Sequence, residues 1–288
     1  MKINNLYNYP PLFDYSGVRG RIPLRSPKTL VGIEVELEGL DRKGDLYTPS
    51  WVVVNDGSLK EEGKEFISCP IQTQYLEIEL IKLFNSLRSH RITQRCSVHV
   101  HLNVRDFTYK ELFNFLLLYI VFERSLYRFS GDRWNNIHCV PIYAFKDFIL
   151  SFLKNLKLGS IPCKWKKYHG LNLSPIWGGE SSLLGTVEFR QMGGCTDIQK
   201  IMDWINLIVS LKDTAKNIDT ETIIQYIKTL NSSKQYGEFA LLVFKDWNRL
   251  LTENNFFEGD MSMCVSKVKE LLYIAKMLKT TKPEFPIF

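Results

Sequence analysis

The sequence predicts an α+β chain built on an antiparallel sheet with one apolar face and one charged face. Three stretches predict it. In Cys96-Ser97-Val98-His99-Val100-His101-Leu102-Asn103-Val104 the side chains alternate at period two. Val98, Val100, Leu102 and Val104 share one side, and Ser97, His99, His101 and Asn103 share the other. Gly32-Ile33-Glu34-Val35-Glu36-Leu37-Glu38 sets three carboxylates against Ile33, Val35 and Leu37. Gly185-Thr186-Val187-Glu188-Phe189-Arg190-Gln191 sets Thr186, Glu188 and Arg190 against Val187 and Phe189. β-Branched apolar positions favour strands over helices. Alternation, as opposed to unbroken apolar runs, favours antiparallel pairing with one face open to solvent.

Residues 1–29 hold Pro10, Pro11, Pro23 and Pro27 without periodicity and read as an irregular arm, with Arg19, Arg21 and Arg25 either solvated or within reach of a phosphate. The acidic strand follows at about 30–38, then a polar connection and a short strand at Trp51-Val52-Val53-Val54. Asn55-Asp56-Gly57-Ser58 is turn chemistry. Lys64 to Ser68 forms the next strand, where Glu65 shares a face with Ile67. Leu76, Leu80, Leu83, Phe84 and Leu87 recur at helical spacing, predicting a helix from Thr73 to about Ser89. After the histidine strand, Thr108-x-x-Glu111 forms a capping box for a helix to about Phe129. Pro141 opens a further helical stretch to about Leu156. Gly170 to Ser174 reads as a strand paired with the Glu188 strand, and Thr196 or Asp197 caps a helix to about Ala215. Residues 219–280 read as three more helices. The predicted layout is an arm at 1–29, a catalytic unit at 30–217 and a helical extension at 218–288.

Composition narrows the classes. Of 288 residues, 45% are hydrophobic and 13% aromatic, as in a globular protein. A net charge of +6 suits anionic small substrates and is weak support for nucleic acid as a partner, despite the basic, aromatic Lys164-Trp165-Lys166-Lys167-Tyr168. The longest apolar run, Leu112 to Phe122, is broken by Asn114 and is too short to cross a bilayer, so no membrane partner is expected. Six cysteines without a Cys-x-x-Cys pair point to a reduced, cytoplasmic setting. Cys96 falls on the side opposite His99 and His101, so it reads as a buried thiol, as does Cys195, and a cysteine hydrolase is disfavoured. Neither a P-loop nor a dinucleotide-binding glycine motif occurs. A homo-oligomer remains open.

Carboxylates crowded on one half-buried face repel one another and resist desolvation unless a cation neutralises them. The inward set is Glu34, Glu36, Glu65, His99, His101, Glu188 and Arg190, with Glu38 either solvent-facing or supporting a ligand. Oxygen ligands with one or two imidazoles suit Mg²⁺ or Mn²⁺ better than structural zinc. An arginine two residues from a metal-binding glutamate can hold a transferring phosphoryl group, which implies ATP or another phosphate donor. Arg133 is a candidate for a substrate anion or a salt bridge, and Asn172 serves either the site or the ladder.

These residues carry a resemblance. Gly32-x-Glu34-x-Glu36, Trp51…Asp56-Gly57-Ser58…Glu65, Cys96-x-x-His99-x-His101, Leu171-Asn172-Leu173 and Gly185-Thr186-Val187-Glu188-Phe189-Arg190 resemble, in order over about 31–211, the amidoligases related to glutamine synthetase and glutamate-cysteine ligase. The chain departs from that pattern at Ser97-Val98, where a glycine is usual, and at Lys167-Tyr168. The resemblance implies a glutamine-synthetase-like catalytic sheet with helices on its other face. It implies metal at Glu34, Glu36, Glu65, His99 and Glu188, with Arg190 at the phosphate. His101, Asn172 and Arg133 are then candidates for ATP or substrate contacts, and Glu65 and His101 for catalysis beside Arg190. The implied reaction is ATP-dependent joining of a small-molecule or peptide carboxylate to an amine through an acyl phosphate. The alternatives are a phosphotransferase or ATPase on the same face, and a non-catalytic binding module.

Overall fold

A computed structural model of the chain describes residues 2–5, 8–9, 13–14, 22–23, 30–40, 50–145, 149–151, 165–178, 183–252 and 260–279. A two-residue ladder pairs β1 (Phe13–Asp14) with β2 (Ile22–Pro23). The main sheet contains β3 (Leu30–Leu37), β4 (Trp51–Val54), β5 (Lys64–Ser68), β6 (Ile71–Gln72), β7 (Ser97–Asn103), β8 (Leu171–Asn172) and β9 (Thr186–Gly193). Its order is β4-β5-β3-β7-β9-β8, with β6 beside the start of β3, and every pairing is antiparallel. The fold is α+β, as expected.

The apolar halves of the alternating strands explain the layering. Ile33, Val35, Val98, Val100, Leu102, Val187 and Phe189 are fully buried on one side of the sheet. Helices α1 (Thr73–Ser86), α2 (Tyr109–Phe129) and α3 (Ile198–Asn217) belong to the same core. The Phe189 ring meets Phe115 and Tyr119 of α2 at 6.0 Å and Trp204 of α3 at 5.9 Å, all edge-on. The Thr108–Glu111 capping box is present, and Asp197 caps α3 by accepting from the Lys200 amide at 3.1 Å. Lys212 of α3 is buried, donates to the Asn103 carbonyl at 2.6 Å and pairs with Asp106, which fixes the end of β7.

Several boundaries differ from expectation for local reasons. The first helix ends at Ser86, where Leu87 turns extended. After Pro141 the chain forms a 3₁₀ turn, Ile142–Ala144, because Glu123 of α2 takes the Ile142 and Tyr143 amides at 2.7 and 2.8 Å. Residues 149–151 are helical, and the rest of that expected stretch lies outside the described residues. The Gly170–Ser174 strand shrinks to two residues because Asn172 Oδ1 accepts from the Ser174 amide and turns the chain. The C-terminal third contains four helices among the described residues: α4 (Thr220–Thr229), α5 (Ser233–Phe244), α6 (Arg249–Thr252) and α7 (Asp260–Lys279). Lys245, at φ +51°, breaks the run after α5. Phe122 of α2 packs on Phe239 and Phe244 of α5, so these helices share the core of the sheet. Trp165 is no surface stacker: it is buried and donates to the Leu171 carbonyl at 2.7 Å, while Lys166, Lys167 and Tyr168 are exposed. Arg19, Arg21 and Arg25, and the connections 41–49 and 179–182, lie outside the described residues.

Candidate functional site

Strand register lays the polar side chains out as rows across the sheet. Glu65 of β5 pairs with Glu36 of β3, while Ile67 pairs with Glu34 and Glu34 with His99 of β7. Gly32 pairs with His101, His101 with Glu188 of β9, and Glu188 with Asn172 of β8. Directly opposed side chains lie within contact distance. The result is a continuous polar network. His99 Nδ1 lies 2.9 Å from Glu34 Oε2 and His101 Nε2 lies 3.1 Å from Glu34 Oε1. His101 Nδ1 lies 2.9 Å from the Thr186 hydroxyl. The Ser97 hydroxyl donates to Glu36 at 2.5 Å, and Asn172 Nδ2 donates to Glu188 at 2.7 Å. Arg190 pairs with Glu188 through its guanidinium.

Arg190 reaches this face through an irregularity. Val100 pairs with Phe189 but Val98 pairs with Met192, so β9 spends three residues where β7 spends two. The extra residue is a β-bulge opposite His99, and bulges re-aim side chains. Arg190 turns to Glu188 on the charged face, and its neighbour Gln191 donates to the Tyr119 hydroxyl on the helical side.

Ligand-type atoms of three groups come within 4.8 Å of one another: Glu34, His101 and Glu188; Glu34, Glu65 and His99; and Glu36, Asp56 and Glu65. Glu34 belongs to two of them and Glu65 to two, so the groups form one chain across β9, β7, β3 and β5. The face is more enclosed than alternation implied: Glu36, His99 and Glu188 are each at most 5% exposed. Their crowding shields them from water and strengthens every charge interaction. Burial opposes ionisation of Glu34, but His101 and His99 outweigh it and hold the carboxyl well below the usual range. Glu188 is likewise lowered against burial, by His101, Arg190 and His99. Burial depresses His101, yet Glu34 and Glu188 bring it above the ordinary imidazole value. Glu65 goes the other way: burial and then the charges of Glu34, Glu36 and Asp56 push it up to about 8. Five carboxylates here face one arginine and two histidines, and burial together with its acidic neighbours favours the protonated form of Glu65.

Glu34, Glu36, Glu65, His99, His101, Glu188, Arg190 and Asn172 are thus brought together. Two sequence candidates take other partners. Glu38 is neither solvent-facing nor part of the cluster. It is fully buried, paired with Arg95 at 2.7 and 2.8 Å, accepts from the Lys60 amide, and sits at about 2. Arg133 lies in the loop after α2 and donates to the Met192 carbonyl at 3.2 Å. Asp56 is turn chemistry in the sequence and is absent from the inward polar set. It does make that turn, accepting from the Ser58 amide at 2.7 Å, but its carboxylate also joins Glu36 and Glu65. The available signal was its place two residues past a strand that pairs with the Glu65 strand. Cys96 is buried away from the cluster, and burial raises the half-buried Cys195 thiol.

Fold and site together define an α+β protein with a cross-strand carboxylate, imidazole and guanidinium cluster on an antiparallel sheet. The chain belongs to the family described as "Putative amidoligase enzyme", whose model matches residues 28–212 and so spans every residue of the cluster. Helices α4 to α7 lie beyond the match. No curated protein sequence matches the chain. Among the described residues no helix is long and apolar enough to cross a membrane.

Proposed function

We propose that the chain is an ATP-dependent carboxylate-amine ligase on a glutamine-synthetase-like sheet, working with Mg²⁺ or Mn²⁺. The observation that carries this reading is the linked set of donor groups, short of positive charge, with Arg190 aimed at its edge. The donor set fits a hard divalent cation: four glutamates and His99, mostly oxygen, in a partly buried face. Glu34, Glu36, Glu65, His99 and Glu188, spread over three linked groups, would hold more than one such cation between them. When bound, such a cation neutralises charge on phosphate oxygens.

The remaining steps belong to the chain's own groups. A carboxylate is a poor electrophile. Its oxygen attacks the γ-phosphorus of ATP, the bond to ADP breaks, and an acyl phosphate forms. Arg190 neutralises charge on the phosphoryl group as it moves, and Glu188, fixed by Asn172, keeps the guanidinium in place. The amine then attacks the acyl carbon, phosphate leaves, and an amide remains. The proton the amine sheds would pass to the Glu34–His101 pair, which Thr186 braces. The enclosed face limits water, which would hydrolyse the acyl phosphate.

The test combines purified chain, ATP, Mn²⁺ and pools of acids and amines, read by mass spectrometry and ADP release. Ligation requires both partners and gives a product of acid plus amine minus water. ADP release with a phosphorylated product and no need of amine would instead make the chain a phosphotransferase. No Mn²⁺-ATP binding by a folded chain would leave a binding module.

A further inference from the structure

Beyond the charged cluster, the same face of the sheet ends in a hollow of about 220 Å³ that runs from Glu34 and His101 toward the start of β3. Gly32 is its floor. It pairs with His101 in the row next to Glu34, and because it lacks a side chain the sheet is open there. A Cβ at Gly32 would meet only His101 Cβ, at 3.5 Å, so the absence of a side chain is not forced by packing. The walls are Leu30, Ile67, Pro70 and Leu184. Leu30 and Ile67 break the polar alternation of their strands: both stand on the charged side, in register with Gln72 and Glu34. Leu30 is buried, and the apolar surface left open in the hollow is that of the half-buried Ile67, Pro70 and Leu184. At its far end Arg105 directs Nε and Nη2 to the Leu184 carbonyl at 2.9 and 2.7 Å and lays its guanidinium on the Tyr9 ring. That end is therefore positively charged, with its hydrogen bonds turned toward backbone.

We propose that this hollow is the side-group subsite for the acid substrate, and that it selects a carboxylic acid with an uncharged, apolar side group up to about the size of a phenyl ring. The proposal rests on the ligase reading for its chemistry and adds the substrate class. An apolar cavity of about 150 Å³ is enough to take benzene, so the volume suits a leucine- or phenylalanine-sized group. The hollow opens directly beside Glu34 and His101, so a group lodged in it holds an attached carboxylate at the cluster. A cationic side group would meet Arg105, and an acidic one would lose its water against Leu30, Ile67 and Pro70 while Arg105 directs Nε and Nη2 to the Leu184 carbonyl.

The experiment uses hydroxylamine as the amine, because it traps any acyl phosphate as a hydroxamate and leaves the natural amine out of the question. Hydroxamate formation with ATP and Mn²⁺ is measured for alanine, leucine, phenylalanine, lysine and glutamate, using wild type, Gly32→Val and Ile67→Ala. Wild type should favour leucine or phenylalanine over alanine by roughly 10–100-fold in kcat/KM. Gly32→Val, which fills the floor, should cut that ratio at least about tenfold, and Ile67→Ala, which widens the wall, should move the preference toward phenylalanine. Preference for glutamate, lysine or alanine, with ratios unmoved by either substitution, overturns the subsite and leaves the ligase standing. If no acid gives hydroxamate, the ligase reading fails, and calorimetry with phenylalanine and alanine decides the subsite alone. Phenylalanine binding weakened in Gly32→Val upholds it, and equal or absent binding overturns it.

Discussion

Divalent-cation binding should be linked to the proton on Glu65, and the size of the linkage follows from the site. Glu65 is held at about 8 by burial and by Glu34, Glu36 and Asp56. A carboxylate must lose its proton to bind a cation, so below that pH each cation displaces one proton here. Apparent affinity should then rise about tenfold per pH unit up to about pH 8 and level off above it. At pH 7, about one unit below that pKa, the need to ionise Glu65 should weaken apparent affinity by roughly tenfold. The assay is calorimetric titration with Mn²⁺ at about pH 6, 7 and 8.5, each in two buffers of different ionisation enthalpy, which counts released protons. Glu65→Gln should release about one proton fewer at pH 7 and flatten the slope by the same amount. Stability carries the matching sign. With a folded pKa above the ordinary 4.5, the contribution of Glu65 is complete below that value and is lost as pH rises through about 8. Saturating Mn²⁺ should restore the loss. Equal proton release by wild type and Glu65→Gln would refute the reasoning.

Three further outcomes test other parts of the molecule. Arg190→Ala should lower turnover by roughly 10²–10³-fold while the chain stays folded, the scale of one lost transition-state charge contact, and turnover within tenfold of wild type would remove Arg190 from the mechanism. Glu38→Gln should lower the melting temperature by breaking the Arg95 pair but leave Mn²⁺ affinity within about twofold, measured by the same calorimetry, because Glu38 stands apart from the cluster. Glu123→Gln should cost about 1–3 kcal/mol in denaturant unfolding, because the two carboxylate oxygens accept from Ile142, Tyr143 and Tyr119 and an amide nitrogen cannot replace one of them.

Period two made β3, β7 and β9 legible, because each holds a run with apolar residues on one side and polar residues on the other. That alone set Glu34, His99, His101 and Glu188 on one surface, and antiparallel pairing did the rest. What alternation could not supply was everything that depends on partners distant in sequence. Glu38 continues the acidic run at the right parity, yet β3 ends one residue earlier, and Arg95 takes it. Asp56 makes a turn that any Asp-Gly pair would make, and only the register of β4 on β5 places it by Glu65. Gly32 reads as an ordinary strand glycine until Leu30, Ile67 and Leu184 are seen around it.

The bulge in β9 shows why one residue of local irregularity matters to the whole face. In a regular ladder the alternation Glu188, Arg190, Met192 would continue on the charged side and put Met192 there. Instead Met192 is fully buried opposite Val98, and Gln191 is bound to Tyr119 among the helices. The extra residue therefore does two things at once. It returns β9 to the apolar phase at its far end, so the core beneath Ser97 and Val98 closes, and it leaves Arg190 as the last charged-face side chain of its strand, beside Glu188. Were Gln191 kept without the bulge, Met192 would sit on the charged side, since a one-residue slip exchanges the faces of a strand. Deleting Gln191 would leave Arg190 and Met192 on the faces they now hold and remove the buried bond to Tyr119, so it should cost stability and leave turnover largely intact. Arg190→Ala, which leaves the backbone phase intact, should cost turnover alone. If both variants lose stability equally, the guanidinium is there to hold the sheet and not to meet a phosphoryl group.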